Sequence, residues 1–102
     1  NAKVDLTTNS ETTVYTGPSA TTSIIKSILV SDDSGSGDTI TLTLTAGASV
    51  FSLFKTKAIS TNQTVELLSQ PLIIQEAEIL KATAATADRL HIVISVLQIN
   101  RN

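Results

Sequence analysis

The fold class is decided by the segment TITLTLT, residues Thr39–Thr45. Its strict alternation places Ile40, Leu42 and Leu44 on one face of an extended chain and the four threonines on the other. Threonine suits a pleated strand because it is branched at Cβ, and its hydroxyl can face water. The segment therefore predicts a β-strand with one aliphatic face and one polar, uncharged face.

The residues before this segment predict a second long strand. Ser23–Ser31 is rich in Ile, Leu and Val, and the intervening Asp32–Asp38 contains only Asp, Ser and Gly. Such a composition is typical of a loop between strands. We therefore predict that the two strands form a long antiparallel hairpin.

Further strands are predicted on both sides. Ala2–Leu6 is another strand or an arm, and Gly17-Pro18 ends the strand before it because proline cannot donate to a ladder. A helix over Ile73–Ala85 is the competing interpretation, but no pair of capping residues frames it. The remaining predicted strands are Glu11–Thr16, Ser49–Lys57, Thr64–Ser69, Leu72–Ile74, Glu78–Thr83 and Leu90–Ile99.

The last strand, Leu90–Ile99, is apolar on both faces for much of its length. Strands in the centre of a sandwich, or strands covered by another subunit, have this pattern. Together the segments predict an all-β protein, an antiparallel β-sandwich of immunoglobulin-like or jelly-roll type with seven or eight strands. Residues 1–9 are predicted to be an N-terminal arm or edge strand, and residues 10–102 a single sandwich domain.

Composition excludes several classes of function. The chain has 102 residues, a net charge of −2, sixteen Thr, twelve Ser and no Cys, so disulfides, thiolate metal sites and thiol nucleophiles are absent. Seven scattered Lys and Arg, without a basic cluster, argue against a nucleic acid partner. No apolar run approaches the length that crosses a membrane. The pattern Gly35-Ser36-Gly37 is too short for a phosphate-binding loop, and no cofactor is predicted.

The acidic loop is the best candidate for a cation site. Asp32, Asp33 and Asp38 place three carboxylates within seven residues, and calcium prefers several hard oxygen ligands. Their spacing does not match a calcium-binding loop of the Asp-x-Asp-x-Asp-Gly kind. The favoured interpretation is therefore a solvated acidic turn, and the three aspartates stay weak metal candidates.

Other polar residues suggest no active site. His91 is the single histidine, and Asp88, three residues before it, does not predict a catalytic pair across a loop. Glu76 and Glu78 would share one face of a strand, where a solvated surface explains them. Lys55 and Lys57 are interpreted as guards of an edge strand, or as a contact with an acidic partner. No catalytic residue is predicted.

The sequence resembles a family of phage proteins. TTVYTGPSATTSIIKSILVS, residues Thr12–Ser31, resembles the turn and Ile/Val-rich strand of small structural proteins of tailed bacteriophages. In that family an alternating Thr/Leu strand follows, and Glu78–Thr83 and Val93–Ile99 are similar to its later strands. The resemblance covers most of the chain, with Gly17 standing where a hydrophobic residue is commoner.

The resemblance implies a non-enzymatic virion component. It would be a capsid decoration (cement) protein, or a module of the neck, tail or baseplate, and its partners would be the major capsid protein or other virion proteins. It also implies a homo-oligomer, for which a trimer is favoured, because strand addition and symmetric rings need no special side chains. A carbohydrate-binding or adhesive sandwich is the alternative from another class. Such sites usually need exposed aromatic residues, and only Tyr15, Phe51 and Phe54 exist.

Overall fold

Strands make up most of the molecule. The structure, a computed structural model, describes residues 2–32 and 35–100, and these contain no helix. Their nine strands are β1 (Ala2–Leu6), β2 (Thr12–Thr16), β3 (Thr21–Asp32), β4 (Asp38–Ala46), β5 (Ser49–Ile59), β6 (Thr64–Glu66), β7 (Leu72–Ile74), β8 (Ile79–Ala84) and β9 (Leu90–Asn100).

The strands form two antiparallel sheets. The first sheet has the order β1-β9-β3-β6, with β7 also paired to β3, and the second has the order β2-β8-β4-β5. The predicted all-β antiparallel sandwich is therefore confirmed. The strand number is nine rather than seven or eight. The short strands β6 and β7 account for the difference, because they pair with separate parts of β3, at Leu29–Ser31 and Ser23–Ile25.

The predicted hairpin between β3 and β4 is wrong. β3 lies in the first sheet and pairs with β9 along its whole length, whereas β4 lies in the second sheet between β8 and β5. The chain therefore passes from one sheet to the other between Asp32 and Asp38. Two strands joined by a loop of this length can pair with each other or face each other across the core, and alternation does not distinguish these arrangements.

The core lies between the sheets and is entirely aliphatic. Ile40 and Leu42 of β4 are fully buried and Leu44 is half-buried, which confirms the inward face predicted from the alternation. Ile28 of β3 and Ile94 of β9, in the opposite sheet, are also fully buried. Aliphatic burial of this kind is the main favourable term in folding such a sandwich.

The competing helix over residues 73–85 does not form. This segment contains the end of β7, a turn and the whole of β8. Ala77 in the turn has a φ of 67°, which an α-helix does not allow. Glu78 lies in the same turn and its Oε1 accepts a hydrogen bond from the backbone N–H of Gln75 at 2.7 Å. Glu76 and Glu78 therefore belong to a turn and not to one strand face.

Gly17 joins this turn to the connection between β2 and β3. Its N–H donates to the carbonyl of Glu78 at 2.8 Å, and its own carbonyl accepts from the N–H of Ala77 at 2.9 Å. A Cβ at this position would lie 2.0 Å from the carbonyl oxygen of Gln75. The close backbone approach explains why glycine occupies a position at which the resembling phage proteins more often have a hydrophobic residue.

A carboxylate secures the irregular part of β3. The pairing of β3 with β9 shifts between Ile25 and Ser27, and Glu66 of β6 accepts hydrogen bonds just beyond this bulge. The donors are the Ser27 hydroxyl, the Ile28 N–H at 2.8 Å and the Leu68 N–H at 3.2 Å. Burial raises the pKa of Glu66, but these hydrogen bonds outweigh burial and hold the pKa below its ordinary value.

We expect Glu66→Gln to lower the free energy of unfolding by about 1 kcal/mol at pH 7, because an amide cannot accept all three hydrogen bonds. Since the folded state lowers this pKa, the contribution is fully present above the unfolded pKa of about 4.3 and is lost as the pH falls through the folded value. The difference between wild type and variant should therefore vanish in acid. Urea unfolding followed by circular dichroism at a series of pH values measures it.

Glu11→Gln is the matched control for this experiment. Glu11 contacts Lys81 in an ion pair of 3.5 Å at the surface, with half of the Glu11 side chain exposed. Such pairs contribute little, so the control should change stability by less than about 0.5 kcal/mol. A Glu66→Gln variant as stable as wild type at neutral pH would contradict the assigned role.

Candidate interaction surfaces

Large apolar side chains are exposed in two separate places. In the part of the chain that the structure describes, six such residues are exposed, and each lies either on the outer face of the first sheet or at the end of the β4–β5 hairpin. They are Leu29, Ile73, Leu97 and Ile99 on the sheet, and Val50 and Phe51 on the hairpin. Exposed apolar clusters of this kind are typical of contact surfaces.

The first surface lies at one end of the outer face of the first sheet. Ile24 of β3 is paired with Ile73 of β7 on one side and with Leu97 of β9 on the other, so the three side chains form one row. Ile99 lies two residues beyond Leu97 on the same face. The exposed fractions are 53% for Ile73, 45% for Leu97 and 48% for Ile99. We call these four residues the aliphatic patch.

The outward positions follow from the alternation in β3 and β9. In β9 the side chains of Leu90, Ile92 and Ile94 are buried, and the intervening residues point away from the core. Beyond Ser95 the strand is exposed or half-buried on both faces. The sequence pattern predicted a strand that is either central or covered by another subunit; β9 is central in its sheet, and its second half is the exposed part.

The other end of this face is shallower and more polar. A depression of about 340 Å³ lies along β1 and β9. His91 Nε2 is 3.2 Å from Asp5 Oδ1 across the two strands, and both side chains are substantially exposed. The depression is lined by Lys3, Val4, Asp5, His91, Ile92 and Val93.

The carboxylate beside His91 is therefore Asp5 and not Asp88. Asp88 lies in the connection between β8 and β9, where its N–H donates to the carbonyl of Leu6 at 2.9 Å. The pairing of β1 with β9 brings Asp5 opposite His91, and the sequence contained no signal for it. The contact joins two exposed side chains, and an ion pair of this kind contributes little to stability.

The second surface is the end of the β4–β5 hairpin. β5 is an edge strand, with β4 as its only neighbour in the sheet. Phe51 lies opposite Leu44, and Val50 lies opposite Thr45. Val50 is 60% exposed and Phe51 56% exposed, although both belong to a regular strand. We call Leu44, Val50 and Phe51 the hairpin end.

The rest of β5 is protected against pairing with another chain. Irregular pairing interrupts the ladder with β4 between Ile40 and Thr43, and Thr56 has a φ of 49°. Lys55 and Lys57 on either side of it are exposed. Bulges and lysines are common means of guarding an edge strand. The hairpin end lies outside this guarded part, because Ser49–Ser52 contains no charge.

The acidic candidates are only partly described. Asp32 is buried at the end of β3, and Asp38 begins β4, where its Oδ2 accepts a hydrogen bond from the Thr86 N–H at 2.9 Å. Asp33 lies outside the described residues. Within residues 2–32 and 35–100 no three acidic or histidine side chains are grouped so that they could hold a metal ion. The cation site stays a prediction from the sequence.

A polar network lies beside the aliphatic patch, on the inner side of the first sheet. The Tyr15 hydroxyl is 2.8 Å from Ser23 Oγ, and Gln98 Nε2 donates to the same hydroxyl at 2.7 Å. The network joins β2 of the second sheet to β3 and β9 of the first. Tyr15 is therefore half-buried and bonded, which leaves Phe51 as the exposed aromatic side chain. The described residues contain no helix long and apolar enough to cross a membrane.

Comparison with known proteins gives similarity of fold. No protein-family model matches the chain, and no curated protein matches it. The structure is similar to the crystal structure of a pentameric capsid protein isolated from metagenomic phage sequences, with 20% identity and a TM-score of 0.48. A second crystal structure of such a protein, solved by iodide SAD phasing, gives 20% identity and a TM-score of 0.44. Each comparison covers 97% of this chain and 62% of the other, so the chain spans less than two thirds of their length.

Proposed function

We propose that this chain is a non-enzymatic structural protein of a bacteriophage virion, and that it is a decoration (cement) protein that stabilises the head through surface contacts. The observation that carries the proposal is the concentration of exposed apolar side chains in two separate surfaces, the aliphatic patch and the hairpin end. The resemblance of Thr12–Ser31 and the later strands to phage structural proteins supports it.

Two apolar surfaces suit a protein with several neighbours at once. A soluble monomer rarely exposes contiguous apolar patches unless they bind something. A subunit in a lattice contacts both its own copies and the underlying shell, and each contact needs a surface of its own. The chain forms a homo-oligomer, with a trimer favoured, and its other partner is the major capsid protein or another virion protein.

A third surface is available for the shell. The outer face of β4 carries Thr39, Thr41, Thr43 and Thr45, which are all half-buried. Threonine hydroxyls donate and accept hydrogen bonds without a net charge. A contact through such a face is specific and depends little on salt, unlike a contact made by charged groups.

Binding to heads tests the proposal. Purified chain is mixed with expanded heads of the phage whose genome encodes it, prepared without this protein, and the heads are sedimented. We expect saturable binding at a fixed number of copies per capsid protein and a higher temperature of head disruption, because bound ligand stabilises the assembled state. Tails purified from the same particles are the control.

The outcome also separates the neighbouring functions. Binding to tails or baseplates with no binding to heads would overturn the decoration role and favour a neck, tail or baseplate module. Binding to neither, with binding to a glycan array, would favour a carbohydrate-binding sandwich. Phe51 is the one strongly exposed aromatic side chain among the described residues, and sugar sites commonly use several. We therefore expect no glycan binding.

A further inference from the structure

The two apolar surfaces belong to the same chain and differ in shape. The hairpin end projects from the edge of the second sheet, and the aliphatic patch lies on the broad outer face of the first. We propose that the hairpin end of one copy packs on the aliphatic patch of the next, so that copies of this chain join head to tail in a closed ring. This goes beyond the proposed function, because the contact needs no capsid.

The sizes of the two surfaces favour this pairing. From the eleven residues of β9 and four neighbouring strands, the outer face measures about 36 by 19 Å, or about 700 Å². A stable contact buries about 800 Å² on each partner, so the face is large enough for one partner. The hairpin end, with three residue pairs, measures only about 10 by 10 Å. Two hairpin ends therefore cannot hold a dimer by themselves.

A second copy covers all the exposed apolar residues of both surfaces at once. A two-fold contact between two outer faces would leave Val50 and Phe51 in water, and a two-fold contact between hairpins would leave Leu97 and Ile99 in water. Only a contact between unlike surfaces covers both sets. Such a contact leaves one surface unused at each end of a chain of subunits, and a ring removes these free ends.

Ring closure also compensates for the small size of one contact. Each subunit of a ring makes the contact twice, and the last contact forms within one assembly and not between free molecules. The oligomer should therefore appear cooperatively as concentration rises, with few open dimers. Phe51 and Val50 would be buried among Ile24, Ile73 and Leu97 of the neighbour, which is favourable burial of apolar surface.

Thiol cross-linking tests the pairing without altering the apolar residues. The chain has no cysteine, and Ser49 and Ser95 are exposed beside the hairpin end and the aliphatic patch. Ser49→Cys and Ser95→Cys variants are purified separately, mixed, and treated with a short bis-maleimide. We expect about tenfold more cross-linked dimer in the mixture than in either variant alone, because a contact between unlike surfaces never brings two identical positions together.

Controls separate a specific contact from chance collision. Ser10→Cys, in the loop after β1, should give no increase when mixed with either variant. Leu97→Lys, added to the Ser95→Cys chain, should abolish the cross-link, whereas Leu29→Lys, which lies on the same face beyond the patch, should retain it. Circular dichroism checks that both lysine variants are folded.

Two results would overturn the inference. One is equal cross-linking of a single variant with itself, which indicates a two-fold contact. The other is a mixture no better than the Ser10→Cys control, together with a single monomer mass at all concentrations. No heads are present in this experiment, so rings that form from a chain that does not bind heads would leave this inference standing and remove the decoration role.

Discussion

Replacing Gly17 with alanine is expected to lower the free energy of unfolding by about 3 kcal/mol, because the new methyl group would force backbone atoms apart. The Cβ would lie 2.0 Å from the carbonyl oxygen of Gln75, and a backbone oxygen cannot turn away as a side chain can. Hydrogen bonds to Glu78 and Ala77 hold Gly17 in place from both sides. Urea unfolding followed by circular dichroism measures the loss.

Gly47→Ala provides a matched control. Gly47 lies in the turn of the β4–β5 hairpin with a φ of 62°, and no atom lies within 4 Å of the position of an added Cβ. Alanine there costs about 1 to 2 kcal/mol, because a left-handed backbone strains any residue with a Cβ. The control therefore separates backbone strain from the steric clash. A Gly17→Ala protein that is at least as stable as Gly47→Ala would show that the contact with Gln75 yields easily.

Gly17 illustrates how far the sequence could be interpreted. Gly17-Pro18 predicted the end of a strand and a turn, and β2 does end at Thr16. The contact with the turn at Gln75–Glu78 could not be predicted, since it joins segments sixty residues apart that share no pattern. Local chemistry predicts where a strand stops, and the tertiary structure determines which backbone lies against the turn.

The two strongest strands illustrate the same division. Alternation in Thr39–Thr45 correctly predicted which side chains of β4 face the core, because side chains of a strand alternate strictly between its faces. It did not predict the partner of β4, since every strand offers the same backbone donors and acceptors. The predicted hairpin with β3 failed for this reason, and β4 pairs with β5 and β8.

The candidate surfaces were least predictable. The row formed by Ile73, Ile24 and Leu97 combines three strands from distant parts of the sequence, and pairing of β7 and β9 with β3 creates it. The contact of Asp5 with His91 depends on β1 pairing with β9 in the same way. A sequence shows that apolar residues exceed what one inner face needs. It does not show where the excess collects.

Strand β9 provides the sharpest test of this interpretation, because it passes from the core to an exposed surface. We expect Ile94→Ala to lower the free energy of unfolding by about 3 to 4 kcal/mol, since the side chain is fully buried and its removal leaves a cavity. For a chain of this size such a loss lowers the melting temperature by more than about 10 °C. Thermal unfolding of dilute protein measures it.

Leu97→Ala, three residues further along the same strand, is the matched control. Leu97 is 45% exposed, so in dilute monomer its truncation should cost less than about 1 kcal/mol, because little further apolar surface leaves the core. If copies associate through the aliphatic patch, the cost should grow with protein concentration, because association stabilises only the wild-type folded state. The cost of Ile94→Ala should not grow in this way, because that side chain contributes to the core and not to the contact. Equal costs for the two variants in dilute solution would show that the outer half of β9 is buried within a single chain.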